Sequence, residues 1–200
     1  MGIYGGTFNP PHIGHIVSAF TFYDVLHLDK LLIMPTFVPP HKSSDEDDDP
    51  QKRLEMCRLA FEGTKRNIVI SDYEVMRGGL SYTYLTLQHF AENNTRLTFL
   101  CGTDMFMTLD EWKNPDIIFS CARIALIRRE RNSYKGEYEI ISKMRDYVNK
   151  YGADIVDICS SPYEASSTQV REMFRSGEYE GVPVTDEVRD YIIKNHLYGG

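Results

Sequence analysis

Short apolar runs alternate with amphipathic stretches along the whole chain. Strand-length apolar runs fall at residues 1–4, 31–34, 68–70, 97–101, 124–127 and 154–158. Between them the apolar positions take a helical period: Ile13, Ile16, Val17 and Phe20 stand at i, i+3, i+4 and i+7, one stripe of a helix reaching about His27. Residues 53–63, 84–92 and 139–151 read as helices in the same way. Thr185, followed by Asp186 and Glu187, supplies an N-cap and an acidic first turn for a last helix through about Asn195. Strands alternating with helices predict βαβ units, hence an α/β fold with a doubly wound parallel sheet. No internal repeat and no Gly/Ser-rich linker divides the chain, so the expectation is a single domain, residues 1–200, with a C-terminal helical portion of about 162–200 packed on it.

Composition narrows the function classes. A formal net charge of −7, with the basic residues scattered, argues against a nucleic-acid partner. The apolar runs are too short to span a membrane and the start lacks the basic-then-apolar pattern of a signal peptide, which predicts a cytoplasmic protein without a membrane partner. A homo-oligomer is left open. Cys57, Cys101, Cys121 and Cys159 lie far apart with no CxxC pair, so neither a zinc site nor a disulfide framework is supported. The consecutive acids Asp45 to Asp49 read as a solvated, mobile loop, because an ion site needs carboxylates that converge.

Candidate chemistry begins at "GGTFNPPHIGH", residues 5–15. It falls where the first strand ends and the first helix begins, the βα turn at which open α/β sheets bind ligands. Gly5 and Gly6 allow close backbone approach, Pro10 and Pro11 stiffen the turn, and the helix N-terminus favours an anion. His12 and His15, three apart, fall on one side of the first turn, where both rings could reach a phosphate. Neither a Walker loop nor GxGxxG is present. Near the other end, "ASSTQVREMF" (residues 165–174) places Ser166 and Gln169 in a capping box, with Ser167 and Thr168 exposed in the first turn and Arg171 one turn on. Two hydroxyls, free N–H groups and a guanidinium could there converge on one anion.

His12-Ile13-Gly14-His15 resembles the HxGH motif with which the nucleotidyltransferase superfamily binds ATP phosphates, and "SSTQVR" resembles its partner motif SSTxxR. The tetrapeptide also matches class I aminoacyl-tRNA synthetases, but "SKMRD" at residues 142–146 lies inside a helical pattern with Ile140, Ile141, Met144 and Val148 apolar, and reads as structure rather than as their KMSKS loop. Nearly end to end, the chain looks like the bacterial nicotinate-nucleotide adenylyltransferases. The segments that carry this are "YGGTFNPPHIGH", "MPTFVPPHK", "RLEMCRLAF", "SYTYLTL", "GTDMFMTLDEW", "SSTQVR" and "VPVTDEVRDYIIKNHLY".

That resemblance implies a Rossmann-like enzyme of NAD biosynthesis that joins ATP to nicotinate mononucleotide, releasing pyrophosphate, with Mg²⁺ entering on the ATP. It implies catalytic roles for His12, His15, Lys42 and Arg171. ATP would be held by Gly5, Gly6, Thr7, Phe8 and the two histidines, and by Asp104, Arg129, Ser167, Thr168 and Arg171. The nicotinate nucleotide would meet Lys42, Thr83, Asp104 and Trp112, with Trp112 stacked on the pyridine ring and residues 81–83 receiving its carboxylate. The protein would supply no metal ligand of its own. "IRRERN" departs from the family's Arg-x-Gly after the fifth strand, with Arg129 in the arginine's place and no glycine. Another acceptor, such as phosphopantetheine, or a catalytically silent nucleotide-binding protein, are the rival expectations.

Overall fold

A computed structural model describes residues 1–40, 48–92, 96–128, 134–159, 163 and 165–199. The strands are β1 (Gly2–Gly6), β2 (Leu31–Pro35), β3 (Ile68–Ile70), β4 (Leu97–Gly102), β5 (Ala122–Arg128) and β6 (Ile155–Cys159). They form one sheet in the order β3-β2-β1-β4-β5-β6, every neighbouring pair parallel. Order reverses between β1 and β4, which are adjacent, and that reversal opens a crevice above their carboxyl ends.

The strands read as unbroken apolar runs because both faces of the sheet are covered. Alternate residues go to opposite sides: Leu31, Ile33, Leu100, Ala125 and Ile127 join one buried cluster, while Leu32, Met34, Phe99, Cys101, Ile124 and Leu126 join the other. Helices α1 (Ile13–Val25), α2 (Pro50–Ala60), α8 (Ser167–Arg175) and α9 (Asp186–Lys194) fill the first layer through residues such as Phe22, Met56, Val170 and Ile192. Helices α4 (Thr83–Ala91), α6 (Pro115–Cys121) and α7 (Tyr134–Tyr151) fill the second through Leu87, Ile118 and Tyr147, and the short α5 (Thr103–Met107) adds Phe106. At about 1.5–3 kcal/mol per fully buried large apolar side chain, these two layers dominate the favourable side of folding.

Two expected helical stripes shift. In α1 the deepest residues are Gly14, Ser18, Ala19 and Phe22, with Ile13, Val17 and Phe20 at the flank. Small residues let that helix lie close to its neighbours, and the Ser18 hydroxyl donates to Gly14 O at 2.7 Å, so its burial leaves no orphan. In α7, Ile140 and Tyr147 are buried while Ile141 and Val148 are exposed. The aromatic pair Tyr147 and Tyr151 packs on Phe119, at 4.8 and 4.6 Å between centroids, and larger rings gain more area than Val148 would. Lys143, within the "SKMRD" stretch, donates to Asp110 at 3.0 Å, a contact between α7 and the 3₁₀ turn Leu109–Glu111.

The acidic run also has work within the fold. Asp49 caps α2, its Oδ1 accepting from Gln51 N–H at 2.8 Å, and Asp48 pairs with the buried Arg53. Asp45 to Asp47 lie outside the described residues, as do Lys42 and Arg129. Among the described residues no helix is long and apolar enough to cross a membrane.

Candidate active site

A cleft of about 870 Å³ opens over the carboxyl ends of β1, β2 and β4. Its walls bring together Gly5, Gly6, Thr7 and His15 from the first βα turn, residues 81–83 at the start of α4, and Asp104 and Trp112 after β4. Residues a hundred positions apart meet because strand reversal puts β1 beside β4.

The two histidines take different places. His12 is 3% exposed and does not line the cleft, whereas His15 does. Their rings lie 3.7 Å apart between centroids, so His12 backs His15. The His12 N–H donates to His15 Nδ1 at 3.1 Å. That bond makes Nδ1 an acceptor and places the proton of a neutral ring on Nε2, at the edge facing away from the helix start. Phe8 closes the other side, its ring 5.0 Å from that of His15 in an edge-on arrangement. Phe8 has φ +51, a left-handed backbone that a bulky residue adopts only at a cost of about 1–3 kcal/mol, and such outliers gather at functional turns. Phe8 thus supports the site from beneath, 1% exposed, instead of meeting the cleft.

Gly14 is needed by the same packing, since a Cβ there would stand 3.0 Å from two atoms of the His12 ring. The turn itself is fastened by the C-terminal quarter of the chain. Ser166 caps α8 by accepting from Gln169 N–H at 3.1 Å. Ser167 is half-buried rather than exposed, its hydroxyl donating to Pro10 O at 2.9 Å. Arg171 donates to Asn9 O at 2.8 Å and to the Thr168 hydroxyl at 3.3 Å. Tyr198, in the 3₁₀ turn Leu197–Gly199, bonds Asn9 Oδ1, and Pro183 O accepts from Ile13 N–H at 2.8 Å. The two motifs are therefore one unit, with Thr168 and Arg171 converging beside the turn, outside the cleft walls that hold His15.

Two residues emerge that periodicity passed over. Arg53 on α2 is 1% exposed and donates to Thr7 O at 2.9 Å, Thr36 O at 2.7 Å and Phe37 O at 2.8 Å, joining the turn after β1 to the chain after β2. Its position was visible: with Met56, Cys57 and Ala60 it stands at i, i+3, i+4 and i+7 of an inward stripe. Glu74, on the five-residue α3 (Tyr73–Arg77), is buried in the cleft wall, and a helix that short shows no period. Burial raises its carboxyl pKa, and the Thr86 and Ser81 hydroxyls and the Arg77 and Arg53 guanidiniums offset that only in part.

Over residues 3–173 the chain matches the family described as cytidylyltransferase-like. It is 36% identical over 198 residues to a probable nicotinate-nucleotide adenylyltransferase of Clostridium botulinum strain Loch Maree, covering 98% of this chain and 97% of that one. A similarly named Clostridium acetobutylicum protein is 35% identical with the same coverage. Among solved structures, a Plasmodium falciparum nicotinic acid mononucleotide adenylyltransferase complexed with NaAD superimposes with a TM-score of 0.77 over 98% of this chain and 96% of that one, at 18% identity. At that identity the likeness concerns the fold.

Proposed function

From the premise that the chain belongs to the cytidylyltransferase-like family, and within it to the nicotinate-nucleotide adenylyltransferases, we propose how it transfers the adenylyl group of ATP to nicotinate mononucleotide, forming nicotinate adenine dinucleotide and pyrophosphate in NAD biosynthesis. The observation that carries the chemistry is His15, set in the wall of the cleft with Nδ1 occupied by its own helix start. Its Nε2–H is a preorganised donor where a phosphate oxygen would gain charge.

The acceptor's 5′-phosphate oxygen forms a bond to the α-phosphorus of ATP, and the bond from that phosphorus to the α,β-bridging oxygen breaks with its electron pair leaving on pyrophosphate. An anionic phosphate needs no protein nucleophile, so catalysis reduces to alignment and charge stabilisation. His15 meets the α-phosphate and the leaving oxygen, and His12 holds it there. The backbone of Gly5, Gly6 and Thr7 receives phosphate. The first-turn N–H groups of Ser167 and Thr168, the Thr168 hydroxyl and Arg171 hold the β- and γ-phosphates; the Ser167 hydroxyl is already engaged with Pro10. Lys42 and Arg129 complete the phosphate contacts in this scheme. Asp104 accepts from ribose hydroxyls, Trp112 stacks on the pyridine ring, and the N–H groups at Thr83 receive the nicotinate carboxylate, a role supported by the absence of any side-chain cap on α4.

Mg²⁺ comes as part of the Mg-ATP substrate, screening the phosphates, since that ion keeps several waters and leans on substrate oxygens. The described residues hold no group of three His, Cys, Asp or Glu placed around a metal.

The test is pyrophosphate release from Mg-ATP with nicotinate mononucleotide, nicotinamide mononucleotide or phosphopantetheine supplied separately. Release fastest with nicotinate mononucleotide is expected, and release with none, or only with phosphopantetheine, overturns the assignment. His15→Ala should lower kcat by about 10²–10³ while KM for both substrates changes little, because the contact strengthens in the transition state.

A further inference from the structure

Glu74 lies in the wall of the cleft at 4% exposure, and the chemistry above gives it nothing to do. Its Oε1 accepts from the Thr86 hydroxyl, one turn into α4, while Oε2 is buried and, among the described residues, meets no donor at hydrogen-bond distance, with the Ser81 hydroxyl beside it. Beside it, Ser81 Oγ accepts from Phe37 N–H at 2.8 Å and Ser81 N–H donates to Val38 O at 2.9 Å, so residues 81–83 are tied to the chain after β2. The carboxyl therefore stands where α3, the uncapped start of α4 and the β2 loop meet. A buried polar atom without a partner is costly unless a ligand meets it or a proton neutralises it. Burial in these surroundings disfavours the anion, so the carboxyl holds a proton more readily than a free glutamate while Oε1 keeps accepting from Thr86.

We propose that Glu74 is a specificity-determining residue: acting as a hydrogen-bonding group rather than as a charge, it braces residues 81–83 so that the start of α4 takes a ring bearing a carboxylate in preference to one bearing an amide. This rests on the adenylyl-transfer function above. An ionised Glu74 would set a like charge close to the substrate carboxylate in a poorly solvated pocket, whereas a neutral amide would feel little of it. Raising the carboxyl pKa by burial, as found here, keeps the proton in place to higher pH. The charged and titratable groups around it are Arg77 on α3, Arg53 on α2 and Tyr82 on its own turn, with His15, Asp104, Glu111 and Lys113 elsewhere in the cleft wall.

The experiment measures kcat/KM for nicotinate and nicotinamide mononucleotides from the ordinary glutamate value of about pH 4.5 up to about pH 9, for the wild type, Glu74→Gln and Glu74→Leu, each checked for a cooperative thermal melt. Both acceptors carry the same phosphate, so any group that acts on the phosphate cancels in the acid-to-amide ratio. In the wild type the ratio should fall about tenfold as pH rises through the Glu74 pKa, a change of the size one lost charge-sensitive contact produces. Glu74→Gln should hold the low-pH ratio at every pH. Glu74→Leu should lose about tenfold in the ratio throughout, through KM for the acid, with KM for ATP within about twofold. A wild-type ratio independent of pH, or a Gln variant as impaired as the Leu variant, overturns the role of Glu74 alone. A wild type that uses neither mononucleotide overturns the function and this role together.

Discussion

Replacing Gly14 by alanine separates the geometry of the phosphate turn from the stability of the helix that carries it. Gly14 is the second residue of α1 and is buried. A Cβ there would meet the Cε1 and Nδ1 atoms of His12 at 3.0 Å and Tyr163 O at 3.6 Å. Two effects oppose each other. Alanine in place of glycine favours a helix by up to about 1 kcal/mol, and less in the first turn. Overfilling a packed site costs about 1–3 kcal/mol, so the net loss should be about 0–3 kcal/mol, or up to roughly ten degrees in Tm for a chain of this size. The neighbour that has to give by a few tenths of an ångström is the His12 ring, and its face lies against His15. A misplacement of about 1 Å can cost 10²-fold, so a smaller shift of His15 should lower kcat by roughly tenfold while KM for both substrates stays near normal. Steady-state kinetics beside a thermal melt decide the matter. A folded Gly14→Ala with kcat within about twofold of wild type would refute the idea that His12 transmits its position to His15.

Arg53→Met should cost about 3–5 kcal/mol in urea unfolding, because it strips donors from three backbone carbonyls and leaves the Asp48 carboxylate without its partner; a loss under about 1 kcal/mol would contradict its bracing role. Burial pushes the Asp110 pKa up, but the Lys143 ammonium and Tyr147 hydroxyl outweigh this and hold it below the usual carboxylate value. The stability from that lowered pKa is present above about pH 4 and fades as pH falls through the folded value, so Lys143→Met should cost up to about 1 kcal/mol at pH 7, the pair being partly exposed, and nothing in strong acid. A Lys143→Met penalty independent of pH would count against the pairing.

How much of this was legible follows from what each residue does. The strand positions were, to within a residue or two, because a sheet covered on both sides demands unbroken apolar runs, and β2 and β5 supply them. The turn at residues 5–15 announced itself through glycines, prolines and a helix start. The division of labour between His12 and His15 did not: their spacing puts both on one side, and only tertiary packing buries the first behind the second. Helices of seven residues or fewer, α3, α5 and α6, carry too little of the helical period to be read. Glu74 was hidden for a related reason, and Arg53 was passed over although it stands on the inward stripe of α2, since a charged letter counts as surface until partners for it are found. In the acidic run, Asp48 and Asp49 belong to the helix they precede, one as a counter-ion and one as a cap.

The central claim is that the acceptor's phosphate attacks the α-phosphorus directly, with no protein nucleophile between. ATP made chiral at its α-phosphorus with oxygen isotopes, incubated with Mg²⁺, nicotinate mononucleotide and the protein, tests it through the configuration of the adenylyl phosphorus in the dinucleotide. A single direct displacement predicts inversion, and no exchange of labelled pyrophosphate into ATP when the acceptor is left out. Retention of configuration, or pyrophosphate exchange with an adenylylated protein in the absence of acceptor, would contradict it.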